Sequence, residues 1–141
     1  MGSFSAITIF CEDIREEVGG TETLIGIMPD NVQLPVIPFH FPKICIYTRI
    51  HLTFDFKPEE IKFFLKFPDN SEQFFGETSA EQVRSALTDS HSKNNLITGL
   101  IFKVKIANLP IKTEGKLVPM IKFGTEEFIT GTLNIMTEQK K

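Results

Sequence analysis

With 141 residues, 41% of them hydrophobic, the chain has the length of one domain and enough apolar content for a core without disulfide or metal support. A net charge of −3 and 15 scattered basic residues leave no basic stripe, which sets aside a nucleic-acid reader. Fourteen Phe against one Tyr and no Trp assign most rings to the core, because Phe fills volume without a polar handle, and this argues against a base- or sugar-stacking platform.

The first predicted element is a strand over residues 5–14, SAITIFCEDI, apolar on both parities until Glu12 and therefore read as buried. A turn at Gly19-Gly20 leads to a second strand over 22–28, ETLIGIM, which ends before Pro29-Asp30-Asn31. The segment VQLPVIPFHFPK is held extended by Pro35, Pro38 and Pro42 and made apolar by Val36, Ile37, Phe39 and Phe41. It reads either as a connection crossing from one sheet to the other or as an exposed apolar strip that docks a partner or a second copy.

Residues 43–54, KICIYTRIHLTF, carry the clearest signal. Ile44, Ile46, Thr48, Ile50, Leu52 and Phe54 take one parity, while Lys43, Tyr47, Arg49, His51 and Thr53 take the other, as in a half-buried antiparallel strand. Residues 60–67 repeat the pattern with Ile61, Phe63, Leu65 and Phe67 inward against Lys62 and Lys66. Residues 97–107 do so with Leu100, Phe102, Val104 and Ile106 against Lys103 and Lys105. One wet face per strand points to antiparallel sheets, since parallel sheets bury both faces.

Between these strands, Ser79 and Gln82 form a predicted capping box, and Ala80, Val83 and Leu87 line one face of a short helix over 79–88. The helix leads into a polar loop, TDSHSKNN. At the C-terminal end, KLVPMIKF and EFITGTLNIM flank a hairpin connection at Gly124-Thr125-Glu126. Pro119 cannot donate to a ladder, which places its strand at an edge or on a bulge. The sum is an all-β chain, a two-layer antiparallel β-sandwich of about seven strands with one crossover helix and a polar tail from residue 137; a barrel is the second choice.

Candidate chemistry is sparse. His40, His51 and His91 fall on a proline-flanked loop, a strand's polar parity and a polar loop. Cys45 shares the parity of His51, but six residues along a strand separate them by about 20 Å. Cys11 and Cys45 show no zinc spacing and, without an export signal in MGSFSAITIFCEDI, are expected as reduced thiols in a cytoplasmic protein. Ala6 stands where the myristoylation pattern wants Ser or Thr, and no stretch approaches the ~18 apolar residues of a membrane helix. Asp30, Asp55 and Asp69 sit at strand ends or turns without Asp-x-Asp spacing, so Asx hydrogen bonding accounts for them as well as calcium does. Gly19-Gly20 and Gly26 form no phosphate loop, and Gly76 reads as a turn glycine. No catalytic, cofactor-binding or metal residues are assigned.

The runs IFCEDIREEVGG and TLIGIMPDNV, followed by LPVIPFHFPKICI, resemble a family of uncharacterised small proteins from bacteria and their phages, whose members open with an FCDDIR-like strand end and an IGIY-like strand. The likeness covers residues 8–46, with a looser similarity at the C-terminal hairpin. It implies a β-sandwich and no transferable activity. Met28-Pro29 stands where the family's tyrosine-containing turn sits, so a role for that aromatic does not carry over. The leading functional reading is a non-catalytic interaction or structural module, with protein or self-association contacts at Glu12, Asp13, Arg15, Phe39, His40 and Phe41. The structural reading of the first three is a turn closed by Asp13 with help from an Arg15 pair. The alternatives are a small-molecule or calcium-type binding sandwich and, third, an enzyme whose site is assembled from loops.

Overall fold

The computed structural model describes residues 2–138. Its elements run β1 (Phe4–Glu16), β2 (Glu22–Ile27), β3 (Asn31–Leu34), β4 (Phe39–Thr53), β5 (Ile61–Lys66), β6 (Glu72–Thr78), α1 (Ala80–Ser92), β7 (Ile97–Ile111), β8 (Gly115–Phe123), β9 (Glu126–Ile129) and β10 (Leu133–Thr137). One sheet has the order β2-β1-β4-β7; the other has the order β3-β10-β8-β5-β6, with β9 also paired to β8. The pairing is antiparallel except between β3 and β10, which run parallel. The all-β sandwich expected from the alternation is what the chain forms, with more strands than the pattern marks out and with β1, β4 and β7 longer than expected. The two strands it does not mark at all, β3 and β6, are short and carry Asn, Gln and Glu.

β4 is one of the two inner strands of its sheet and buries Ile44, Ile46, Thr48, Ile50 and Leu52. Phe54 lies past its end and is exposed, and Cys45 is buried in spite of its outward parity. The inward parity of β4 and β7 switches at one place. Ile44 and Ile46 face the core beyond Pro42, but Phe41 does so before it; Ile106 packs on the core up to Asn108, and Leu109 and Ile111 after it. The register is unbroken on both sides of Pro42, from Phe41↔Leu109 to Lys43↔Ala107. Asn108 stands opposite with φ 55, in the left-handed region that Asn tolerates. The proline strip is accordingly mixed. Val36 is exposed, Phe41 is buried, and the segment carries the chain from β3 in one sheet to β4 in the other.

β1 is not buried on both faces, because Ile7 faces solvent. Pro119 lies neither at an edge nor on a bulge: β8 is flanked by β5 on one side and by β10 and then β9 on the other. Its carbonyl accepts from Thr130 N–H at 3.0 Å, so its missing N–H falls on the same side, where β9 and β10 break and no donor is required. Gly76 is no turn residue. It lies in β6 at an irregularity opposite Phe63, with the Phe102 ring 3.0 Å from where a Cβ would sit. The helix runs one turn beyond the expected boundary and takes in His91; its Ser79–Gln82 capping box is formed, and Val83 and Leu87 are buried.

Besides a small third cluster of Cys11, Ile14 and Cys45, the core has two large lobes. One gathers Phe10, Phe41, Ile44, Ile46, Leu65 and Leu117. The other gathers Ile50, Leu52, Phe63, Val83, Leu87 and Ile121. Thr48 lies on β4 between Ile46 and Ile50 and belongs to a polar belt between the lobes: Thr48 Oγ1 is 2.7 Å from Thr8 Oγ1, which is 2.6 Å from Thr130 Oγ1. Thr130 donates to the Pro119 carbonyl, so Thr8 donates to Thr130 and accepts from Thr48. Thr8 N–H also bonds the Thr130 carbonyl at 2.9 Å, which fastens β1 of one sheet to the other. Thr8→Val keeps the shape but leaves the buried Thr48 hydroxyl without its acceptor, while Thr130 keeps its bond to the Pro119 carbonyl, and is expected to cost about 1–2 kcal/mol, read as a lower urea midpoint at unchanged slope.

Candidate functional site

The first hairpin holds the charged residues. Its turn is closed by the Glu17 N–H bond to the Thr21 carbonyl and by Thr23 Oγ1 donating to Glu17. Arg15 pairs with Glu17 at 2.6 Å, not with Asp13. Asp13 plays no part in the turn. Its Oδ1 accepts from the Ile14 N–H at 2.8 Å and from Lys43 at 2.7 Å, with Lys105 at 3.5 Å. The Lys43 ammonium, followed by the Ile14 N–H, holds the Asp13 carboxyl below the usual range, and Asp13 raises Lys43 in return.

Farther along the hairpin, Glu16 and Glu22 are register partners, an arrangement of like charges that is unfavourable by itself. Lys103 of β7 reaches between them, bonding Glu16 at 2.8 Å and also Glu22. The same ammonium lowers the Glu16 carboxyl. These surface pairs orient side chains more than they stabilise the fold. Lys43→Met is expected to return the Asp13 pKa toward the ordinary carboxylate value, and Lys105→Met to move it less; NMR titration of the side-chain carboxyl checks both.

Beside this network lies an open groove of about 670 Å³, where the edge of β2, the edge of β3 and the start of β4 meet. Ile27, Met28, Val32 and Phe41 give it apolar walls, and Glu12 and Lys43 stand on it. The groove exists because β2 and β3 are edge strands of different sheets joined by only Met28–Asp30, so the sandwich stays open on this side. Gly26, at φ 67, packs its backbone against the Glu12 side chain; a Cβ there would sit 2.6 Å from the carboxylate. Glu12 itself makes no side-chain hydrogen bond or ion pair with the described residues.

Of the sequence-derived contact residues, the groove gathers Glu12 and Phe41, with Asp13 at its rim through Lys43. Phe39 packs edge-to-face on Phe41 at 5.4 Å. Arg15 turns away to Glu17, and His40 is exposed opposite Pro110 on the ladder with β7. Ile27, Met28, Val32 and Lys43 were not marked by the sequence pattern. The turn signal at Pro29-Asp30-Asn31 is the one hint that another strand starts next to it.

Cys11 and Cys45 are register partners and fully buried. Burial, then the neighbouring Cys45, pushes the Cys11 thiol up to about 11. His91 stacks on Phe54, past the end of β4, and His51 pairs across the ladders with Ser5 and Gly99. Among the described residues no three of His, Cys, Asp and Glu converge as a metal site, and no helix is long and apolar enough to cross a membrane.

No curated protein matches the chain. A family model does, over residues 6–136, which takes in both sheets and the groove. The chain belongs to that family, DUF6941, a family of unknown function.

Proposed function

We propose that the chain is a non-catalytic interaction module, a single sandwich unit working in the cytoplasm of a bacterium or a phage-infected cell, that binds a protein partner along the groove between β2, β3 and the start of β4. The observation that carries this reading is the composition of that groove. Ile27 is 60% exposed beside Met28, Val32 and Phe41, at the place where the first core lobe reaches the surface. A free carboxylate, Glu12, and the ion-paired Lys43 frame it with polar groups that fix orientation, as at the rims of protein interfaces. His40, Cys45 and His51 share β4, but each histidine stands five or six residues from Cys45, roughly 17–20 Å along the strand, too far for a base to reach the thiol.

The test begins with the tagged protein capturing partners from its native host. Ile27→Glu should reduce recovery of the bound partner at least tenfold while leaving the melting temperature unchanged. Ile129→Glu, at an exposed site on β9, should leave recovery intact. Equal recovery by both variants would remove the groove from consideration. A hydrolase or transferase activity lost with His40→Ala, His51→Ala or Cys45→Ala would overturn the non-catalytic reading.

A further inference from the structure

We infer that the outer edge of β7 is a pairing edge, and that a second copy of this chain adds its own β7 to it antiparallel about a two-fold axis, joining two four-stranded sheets into one of eight. The surface is separate from the groove and does not depend on it.

The argument starts from where the backbone groups of β7 go. The Phe54 N–H bonds the Leu96 carbonyl at 3.1 Å, and the register continues from there as Leu52↔Thr98, Ile50↔Leu100 and Thr48↔Phe102. On the other flank of β4, the Thr53 N–H bonds the Ser3 carbonyl, so even-numbered residues of β4 face β7 and odd-numbered ones face β1. It follows that the even-numbered residues of β7 bond β4. Ile101, Lys103, Lys105 and Ala107 then turn both N–H and C=O to the open side, and all four are exposed.

Edge strands are ordinarily kept from pairing by shortness, bulges, prolines or charges. The other outer strands follow this rule: β2, β3 and β9 have six, four and four residues, and β6 is interrupted where Phe63↔Gly76 gives way to Phe64↔Phe74. β7 has 15 residues and keeps one register with β4 throughout, with no proline before Pro110. Its lysines do not guard it. Lys103 is drawn across its own sheet to Glu16 and Glu22, and Lys105 to Asp13, so their charge is neutralised away from the edge. The core-facing Phe102, Val104 and Ile106 stay only half-buried, where their register partners Thr48, Ile46 and Ile44 of β4 are buried, so the edge leaves apolar surface for a neighbouring strand to cover.

A second copy suits this edge because the row of groups is complementary to itself under a two-fold axis, the symmetry of most soluble dimers. A register centred near Phe102 sets Ile101 across from Lys103 and keeps lysine from facing lysine. Some seven paired residues at about 3.3 Å each, against a sandwich with sheets about 10 Å apart, cover a few hundred Å² per copy. That is at the low end for a specific interface, so the dimer should depend on concentration.

The test is native mass spectrometry and light scattering of the full chain from 1 to 500 µM, with amide exchange followed by NMR. The expected result is a dimer that gains at least tenfold in population over this range, with the N–H groups of Ile101, Lys103 and Lys105 becoming protected as it forms. Ile101→Pro, which removes one outward N–H and no bond to β4, should abolish the dimer; Ile101→Ser, which keeps the N–H, should weaken it less. A monomer throughout, or a dimer in which those three amides exchange as fast as in free chain, would overturn the inference. The exchange readout stands on the unaltered protein even if the proline variant fails to fold.

Discussion

Phe63→Ala is expected to lower the free energy of unfolding by about 3–5 kcal/mol, and Phe64→Ala, one residue on, by no more than about 1 kcal/mol. The difference follows from parity. Phe63 points inward from β5, is 6% exposed, and stacks on Phe102 with centroids 3.5 Å apart and planes 5° from parallel. Phe102 also closes against Gly76, so the contact joins β5, β6 and β7 across both sheets. Removing the ring opens a cavity in a region whose walls, Ile61, Leu52 and Ile121, are held by their own ladders and collapse only in part. Phe64 points to the other side, half-buried, with Lys122 Nζ 4.2 Å above its ring and Phe74 5.4 Å away. Its loss removes a cation–π contact at a partly solvated site, where such contacts contribute about 0.5–1 kcal/mol. Urea unfolding of both variants checks the pair. Equal losses at the two positions would mean that β5 is not pleated in this register.

The same parity argument marks how far the fold could be read from residues alone. Period two over 43–54, 60–67 and 97–107 locates β4, β5 and β7, because each has one face against the core and one in water. Ser79 and Gln82 locate the helix start, since a capping box is a local hydrogen-bond pattern. The helix end was not legible. Thr88 to Ser92 are polar enough for a loop, but they form a last turn facing solvent, supported by the Asp89–Lys93 pair. The parity switch at Pro42 and Asn108 was hidden as well, because it arises only when the two residues meet across a ladder. β9 and β10 read as one strand for a similar reason: the break at residues 130–132 exists to bring Thr130 against Pro119 and Thr8. Of the groove, Glu12 and Phe41 were reachable from the sequence, one as an acidic strand end and the other as part of an apolar strip. Ile27 and Val32 were not, since their exposure depends on β2 and β3 falling at the same open side of two different sheets.

Between pH 9 and 11 the protein is expected to lose about 2 kcal/mol of stability through Cys11 alone. The thiol is fully buried against Cys45 and donates to the Asp13 carbonyl at 3.4 Å, an environment that has no means of solvating a thiolate. Its pKa is accordingly raised from 9.0 to about 11. In this window the unfolded chain gives up the proton and the folded chain keeps it. The folded state therefore binds more protons, and stability falls as pH rises; below about pH 8 the thiol is protonated in both states and the contribution is intact. The lysines contribute in the same direction at higher pH, since Asp13 and Glu16 hold Lys43 and Lys103 above their ordinary value. Cys11→Ala separates the two effects, because it leaves the lysines in place and removes the thiol. The variant should be less stable at pH 8, with a cavity in the cluster of Ile14 and Cys45, yet its stability should decline less steeply from pH 9 to 11. The same burial makes Cys11 slow to alkylate in the folded protein at pH 8 and fast once urea unfolds it, since the thiolate is the reacting species. Parallel slopes for the two proteins would show that Cys11 ionises as freely inside the sandwich as in the open chain.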